Sequence, residues 1–308
     1  MWFVIVGAVF ALWVLLHLKT SRPDGTLLKT HPYRRMLGFI MPTRTESAVY
    51  FDSAIRAERL LDYIERAKER IPVNVTHCLV GAARIGFGEN PKMNRFVAGR
   101  RLYQRDRILV TFSAKRQRQG REAKLAAIKI DVGAHPDFPS LARAIDEKIH
   151  VERSGVKTYA DREFDLLSWL PRPVLSAGVR VFYWLDYHNL VPASFIENDA
   201  MYTSLFIANL GSLHMDAAYH HLYEWGNCPV FLVVGQIEER AVVENGEVVV
   251  RKVLPLRYSY DERIDDGLNA RFAIDAFKRI LEDPETHLGK VENLPDLASE
   301  AKETASAA

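Results

Sequence analysis

Residues 254–284, LPLRYSYDERIDDGLNARFAIDAFKRILEDP, decide how this chain folds. Leu254, Leu256, Tyr258 and Tyr260 alternate with Pro255, Arg257 and Ser259, the period of two that marks a strand. Asp261-Glu262-Arg263-Ile264 follow, then Asp265-Asp266-Gly267, a turn signal in which glycine removes the steric cost. An amphipathic helix comes next, with Ala273, Phe277, Ile280 and Leu281 on one stripe, and Asp283-Pro284 stops it. A strand that hands a charged turn to a helix is a good place to present reactive side chains.

Working outward, Pro229 to Ile237 reads as an apolar strand, and Ser204 to Gly211 (SLFIANLG) as another. Asn245-Gly246, between Val242-Val243 and Val248 to Val250, is the strongest hairpin signal in the chain. Further back, the pattern predicts a short strand at Ala48–Phe51, a helix over Ala57–Arg70 and a buried helix over Thr76–Phe87. It also predicts paired strands at Leu102-Tyr103 and Ile108–Phe112, a strand at Ala126–Val132 and a helix over Ser140–His150. Lys115 to Gly120 (KRQRQG) is a basic loop, read as a solvated turn or as a phosphate site. Phe164 to Leu190 mixes Trp169, Tyr183, Trp184 and Tyr187 with Arg172, Arg180, Pro171 and Pro173. Two readings stand for it: helices lying against the core, or contact with a membrane interface.

The chain of 308 residues is long enough for one substantial domain with additions. Its 41 basic and 39 acidic residues balance to +2, which argues against nucleic acid as a partner. Two cysteines, Cys78 and Cys228, form no disulfide framework and fit a reducing compartment. His214, His220 and His221 precede Cys228 in no familiar zinc spacing, so no metal is expected. From Val291 onward little is left to bury, and 289–308 reads as a disordered tail.

The N-terminus departs from this profile. Trp2 to Leu16 carries no charge, and His17-Leu18 extend the run before Lys19. A span needs about 20 apolar residues, with about 17 as the lower limit, so 1–18 reads as a single transmembrane anchor and 19–30 as a polar linker. Lys19, Arg22, Lys29, Arg34 and Arg35 all follow the span, which places the body in the cytoplasm. On that side Asn74-Val75-Thr76 carries no meaning as a glycosylation acceptor.

The 254–284 stretch resembles the C-terminal signature of the acyltransferase catalytic cores of 2-oxoacid dehydrogenase complexes, which share a fold with chloramphenicol acetyltransferase. That signature is a strand ending Asp-His-Arg, two residues, Asp-Gly, and a helix closing in Leu-Glu-Asp-Pro. Asp261, Arg263, Asp266, Gly267, Phe272, Leu281, Glu282, Asp283 and Pro284 stand in matching places, while Glu262 holds the position of the catalytic His. Asn209, Leu210 and Gly211 match a Ser-Asn-Leu-Gly strand end, with Ala208 in place of the serine. Residues 31–45 resemble the Arg-rich segment leading into the first sheet strand, and 90–96 a Pro- and Asn-containing segment before another.

The resemblance implies an α/β fold (an α+β sandwich), with a chloramphenicol acetyltransferase-like mixed sheet and helices over 31–288. Residues 160–195 form an atypical helical insertion in it. It also implies a homotrimer with sites between subunits and acyl transfer between coenzyme A and a second thiol. No lipoyl or peripheral-subunit-binding module precedes the core, so no lipoyl group is expected in cis. Carried over by position, Glu262 takes the place of the general base, Asp266 that of the structural carboxylate, and Ala208 that of the oxyanion hydroxyl. Asn209 and Gly267 complete the substrate-binding framework. A carboxylate near pKa 4.3 taking a proton from a thiol near 8.5 works uphill by roughly 6 kcal/mol, against about half that for a histidine. Loss of the oxyanion hydroxyl adds roughly 3 kcal/mol. Two functions follow: a membrane-anchored acyltransferase homologue acting on or binding coenzyme A or acyl-coenzyme A with altered chemistry, or a non-catalytic trimeric scaffold or acyl-ligand binder at the cytoplasmic membrane face.

Overall fold

The structure, a computed structural model, describes residues 1–115, 125–154 and 169–297. Its longest strand is β10, Glu247–Asp261, and the rest of the body is hung on it. The outer half of β10 forms a hairpin with β9, Glu238–Glu244. Asn245 and Gly246 turn it with φ of 53° and 86°, both positive as a type I′ turn demands. The inner half pairs antiparallel with β2, Ala48–Arg56, on one edge and β8, Val230–Val234, on the other. Beyond β8 come β7, Leu205–Asn209, and β5, Leu109–Lys115, both running parallel to it, and β6, Leu125–Asp131, closes the mixed sheet antiparallel. Strands flanked on both edges in this way lose their alternation, so β8 is buried at every position.

Helices cover the sheet with one continuous core. Helix α3 spans Glu58–Ala67, α4 Val75–Glu89, α5 Phe138–Arg153 and α8 Gly267–Glu282. The side chain of Asn74 caps α4 by accepting from the amides of Thr76 (2.8 Å) and His77 (3.3 Å). Small residues let α4 sink: a Cβ on Gly81 would come within 2.8 Å of the Phe138 ring. Leu141, Ile145 and Ile149 of α5 are buried on the stripe the sequence predicts.

A second, three-stranded sheet carries the strand order β1–β4–β3, made of Gly25–Leu27, Arg101–Arg105 and Arg95–Ala98. Leu102-Tyr103 therefore pair with β1 and β3 and not with Ile108–Phe112, which sit in the main sheet. The expected linker over 19–30 is also a packed segment. Arg22 is buried between Asp24 (3.0 Å) and Asp186 (3.1 Å), and Asn227 Nδ2 donates to Asp24 Oδ2 at 2.7 Å. Burial works against the Asp24 charge, yet Arg22 and Arg105 hold its carboxyl below the usual range. A linker with one arginine and one aspartate looks solvated in one dimension; distant partners make it internal.

At the other end, Val291 and Leu294 are buried, and Arg70 Nη1 donates to the Leu294 carbonyl at 2.9 Å. Residues 291–294 of the predicted tail are thus packed on the body, and residues from 298 lie outside those described. Most of the KRQRQG loop and Phe164–Ser168 also lie outside them.

The N-terminal run forms helix α1, Trp2–Leu18, with no buried residue. Its 17 residues reach roughly 25 Å at ~1.5 Å each, short of the ~30 Å hydrocarbon core. Among the described residues no helix is long and apolar enough to cross a membrane, which corrects the expected span over 1–18. Within the 160–195 insertion α6 covers Arg172–Tyr187, and α7, Ala193–Asn198, straddles its end. Phe182 stacks on Trp225 at 4.3 Å and, with Leu185, packs on the Val191–Ile196–Tyr202 cluster; no residue of α6 is fully buried.

Candidate active site

The end of β10 is fixed by two ionic clamps. Asp261 is fully buried and takes two bonds from the Arg263 guanidinium, Nε to Oδ1 at 2.8 Å and Nη2 to Oδ2 at 2.7 Å. Ser47 Oγ donates to the same carboxylate at 2.8 Å, and Arg263 Nη1 continues to the Met41 carbonyl at 2.9 Å. The second clamp is Asp265, buried between Arg34 (3.3 Å) and Arg95 (3.2 Å), with the Asp266 amide donating to it at 2.9 Å. Burial lowers the Arg95 pKa, Arg34 adds to that, and Asp265 opposes it.

Glu262 stands between the clamps. Its amide donates to the Ser47 carbonyl at 3.0 Å, while its half-exposed carboxylate makes no hydrogen bond or ion pair among the described residues. Burial raises the pKa of Tyr260, and the Glu262 charge adds to the rise. Asp266 is 60% exposed and caps α8, accepting from the Asn269 amide at 3.3 Å. Fixing the turn from inside therefore falls chiefly to Asp265, with Asp266 as helix cap. Gly267 opens α8 with open space where a Cβ would stand and no positive φ, so this conformation does not itself require glycine.

Ala208 and Asn209 end β7. Asn209 Nδ2 donates to Thr76 Oγ1 at 3.1 Å, and its Oδ1 accepts from the Ser212 amide at 3.2 Å. The first turn of α4 thus brings a hydroxyl to Asn209, while Ala208 packs with the Phe231–Val233 cluster on the other face of the sheet. Gly211 is required here: a Cβ would meet the Gly235 carbonyl oxygen at 2.3 Å. Nothing in the sequence pattern points to Thr76, Arg34 or Arg95, because each lies far along the chain from the residue it serves.

One protomer does not bring the two halves together. Asn209 pairs with Val234, Val234 with Leu256, and Glu262 lies six residues further along β10. At about 3.3 Å per residue that is roughly 20 Å along the sheet.

His220 stacks on Phe231 at 4.1 Å and lies against the outer face of the sheet. Among the described residues no group of three or more His, Cys, Asp or Glu could hold a metal. Cys78 and Cys228 are free and buried, and burial pushes the Cys228 thiol up to about 11. A cavity of about 50 Å³ lies between the sheet, α4 and α8, lined by apolar groups and bordered by Tyr258 and Tyr260.

Residues 196–289 match the family described as 2-oxoacid dehydrogenases acyltransferase (catalytic domain). The dihydrolipoyllysine-residue acetyltransferase component of the Bacillus subtilis pyruvate dehydrogenase complex is 44% identical over 54 residues, 18% of this chain and 12% of that protein. The lipoamide acyltransferase component of the Pseudomonas putida branched-chain alpha-keto acid dehydrogenase complex is 42% identical over 60 residues, 19% of this chain and 14% of that protein. The chain thus matches about an eighth of the length of these relatives. A probable dihydrolipoamide acetyltransferase from Listeria monocytogenes superposes with a TM-score of 0.55 at 17% identity, covering 83% of this chain and 94% of that one. A chloramphenicol acetyltransferase superposes at 0.50 and 12% identity, covering 83% and 99%. These likenesses establish the mixed-sheet fold.

Proposed function

We propose that this chain, an acyltransferase core of the 2-oxoacid dehydrogenase type by its fold and its 196–289 segment, binds acyl thioesters at a site shared between copies of itself. Members of that family act on thioesters of coenzyme A and on lipoyl-bound acyl groups, and coenzyme A or acyl-coenzyme A is the ligand class proposed here. The observation that carries the reading is Glu262: an unpaired carboxylate held at the strand end by two buried ion pairs. Such rigidity is what a positioned proton acceptor needs.

In this reading Glu262 of one protomer faces the Ala208–Asn209 strand end of a second copy, since roughly 20 Å separates them within one chain. A homotrimer supplies that arrangement. Glu262 takes the thiol proton. Thr76 offers a hydroxyl beside Asn209 on the helix side of the strand: its Oγ1 accepts from Asn209, which leaves its own O–H to donate to a developing oxyanion. The exposed apolar helix α1 holds the assembly at a membrane, embedded without crossing it, at what this reading takes as the cytoplasmic face.

Titrating acetyl-coenzyme A against the purified full chain while following thioester turnover tests this. Binding with turnover that falls on Glu262→Gln and on Thr76→Val supports an enzyme. Binding without turnover, indifferent to Glu262→Gln, supports the second reading, a trimeric scaffold or acyl-ligand binder. That reading is favoured by one observation, the apolar Ala208 packed with Phe206 and Leu210 where the family pattern has a hydroxyl.

A further inference from the structure

Helix α1 does not leave the body as a free arm. The Arg101 guanidinium donates to the carbonyls of His17 and Lys19, and Asn189 Nδ2 donates to the Lys19 carbonyl at 3.0 Å. The His17 ring lies 4.9 Å from that of His188. Arg22, three residues on, bonds Asp186 Oδ1 at 3.1 Å and Asn189 Oδ1 at 3.0 Å. Asp186, His188 and Asn189 belong to the C-terminal end of α6, so the exit of α1 is locked to that end.

The same corner gathers a third helix, α2, Pro32–Ile40. The β3–β4 turn lies between α2 and α6: a Cβ on Gly99, at φ +54°, would meet the Tyr187 carbonyl oxygen at 2.3 Å. On the other side, one on Gly38 would meet the Arg100 carbonyl oxygen at 3.2 Å. Apolar groups face outward across the corner, with Ile40 67%, Val181 57% and Trp184 47% exposed. Arg35, Arg100, Arg172 and Arg180, from α2, the β3–β4 turn and α6, are exposed as well. Arg100 lies over the Phe39 ring at 5.2 Å, and Asp186, the one acidic residue of α6, is held by Arg22.

We infer that this corner is a lipid-docking face, with α6 and the outer side of α2 lying in the headgroup region of an anionic bilayer that α1 enters. The inference rests on the membrane reading of α1 and adds to it the orientation of the body. A bilayer fits better than a second copy of the chain because α1 exposes apolar groups around its whole circumference. A partner helix covers one stripe; lipid covers all of them. Tryptophan and tyrosine interleaved with arginine at the exit of an apolar helix match the boundary between hydrocarbon and headgroups. The lock at Arg101 and Asn189 then sets α6 at that depth, because its last turn sits beside the exit.

The test uses the full chain diluted from detergent into phosphatidylcholine vesicles with and without phosphatidylserine. Single cysteines introduced by Val181→Cys and Trp184→Cys carry an environment-sensitive fluorophore, and Glu247→Cys on the distant hairpin serves as control. Flotation with the vesicles, a blue shift at 181 and 184 and none at 247 is the expected result. Arg100→Gln and Arg180→Gln each lower partitioning into the phosphatidylserine vesicles about fivefold, with little change on phosphatidylcholine alone. Failure to float overturns both the anchoring reading and this one. Flotation with both α6 probes in water overturns this one alone. So does a blue shift that needs no lipid and tracks self-association in sedimentation, because a second copy then covers the face.

Discussion

Replacing Asp261 by Asn removes one charge from a pair in which neither partner reaches water. Asp261 has no exposed surface and the Arg263 side chain is 5% exposed. After the substitution the guanidinium keeps one carbonyl partner, that of Met41, and loses a carboxylate that it bonded through two nitrogens. Breaking a buried pair from one side costs about 3–5 kcal/mol, far above the ~0.2–1 kcal/mol of an exposed pair such as Arg271–Asp275. At roughly 2–4 °C per kcal/mol for a domain of this size, Tm falls by about 6–20 °C. The assay is thermal and urea unfolding of the full chain, read by tryptophan fluorescence. A companion variant, Asp261→Leu with Arg263→Met, removes both charges at similar volume and recovers most of the loss. Asp261→Asn costing less than ~1 kcal/mol, or a double variant no more stable than the single, refutes the claim that this pair is buried and coupled.

Other consequences follow from single residues. Glu262→His narrows the proton-transfer gap by about two pKa units, so thiol acyl transfer to or from coenzyme A rises by up to ~100-fold; an unchanged rate in a stopped thiol-release assay rules out residue 262 as the base. Thr76→Val removes the hydroxyl bonded to the Asn209 side chain and lowers any turnover by about 10²–10³, with little change in coenzyme A affinity by calorimetry. His77 is buried with neither ring nitrogen bonded; burial, opposed by Asp146, depresses its pKa to about 4. The folded state therefore resists protonation, and its stability is full above pH 6.5. It falls as pH drops towards 4, by up to ~3 kcal/mol, and His77→Phe flattens that dependence in urea titrations at pH 7 and pH 5. Asn245→Val places a β-branched residue at φ 53° and costs about 1–2 kcal/mol in the same melts.

What was legible in the sequence was whatever one element settles by itself. Alternation in Leu254–Tyr260, the Asn245-Gly246 turn and the small apolar run of α4 each carry their own geometry, and each is where the pattern puts it. What stayed hidden depends on partners far along the chain. Arg22 and Asp24 are internal only because Arg105, Asp186 and Asn227 meet them, and no local pattern encodes that meeting. Of the aspartates at the turn, Asp265 faces inward because Arg34 and Arg95 arrive from α2 and β3, whereas its neighbour Asp266 points to solvent. Arg34 reaches Asp266 too, at 3.8 Å, but only Asp265 is buried between two cations, and periodicity does not say which of two adjacent acids that is.

The position of Glu262 narrows what any chemistry here requires. A carboxylate that served only to stabilise the turn would bond a cation, as Asp261 and Asp265 both do. Glu262 bonds none, although Arg263 is its immediate neighbour and is occupied on the inner side by Asp261 and Met41. The turn is thus built so that its one unpaired carboxylate projects from the strand end while the flanking charges are neutralised within. Within one chain Glu262 and the strand end of Asn209, which Thr76 of α4 bonds, stand roughly 20 Å apart along the sheet. A monomeric variant that keeps its fold should therefore retain neither turnover nor sensitivity to Glu262→Gln. Mixing two inactive variants, Glu262→Gln with Thr76→Val, should restore a fraction of the activity, because some interfaces in the mixed assembly then pair an intact Glu262 with an intact Thr76. Absence of that complementation in a mixed assembly that demonstrably exchanges subunits would confine both residues to separate roles and end the shared-site account.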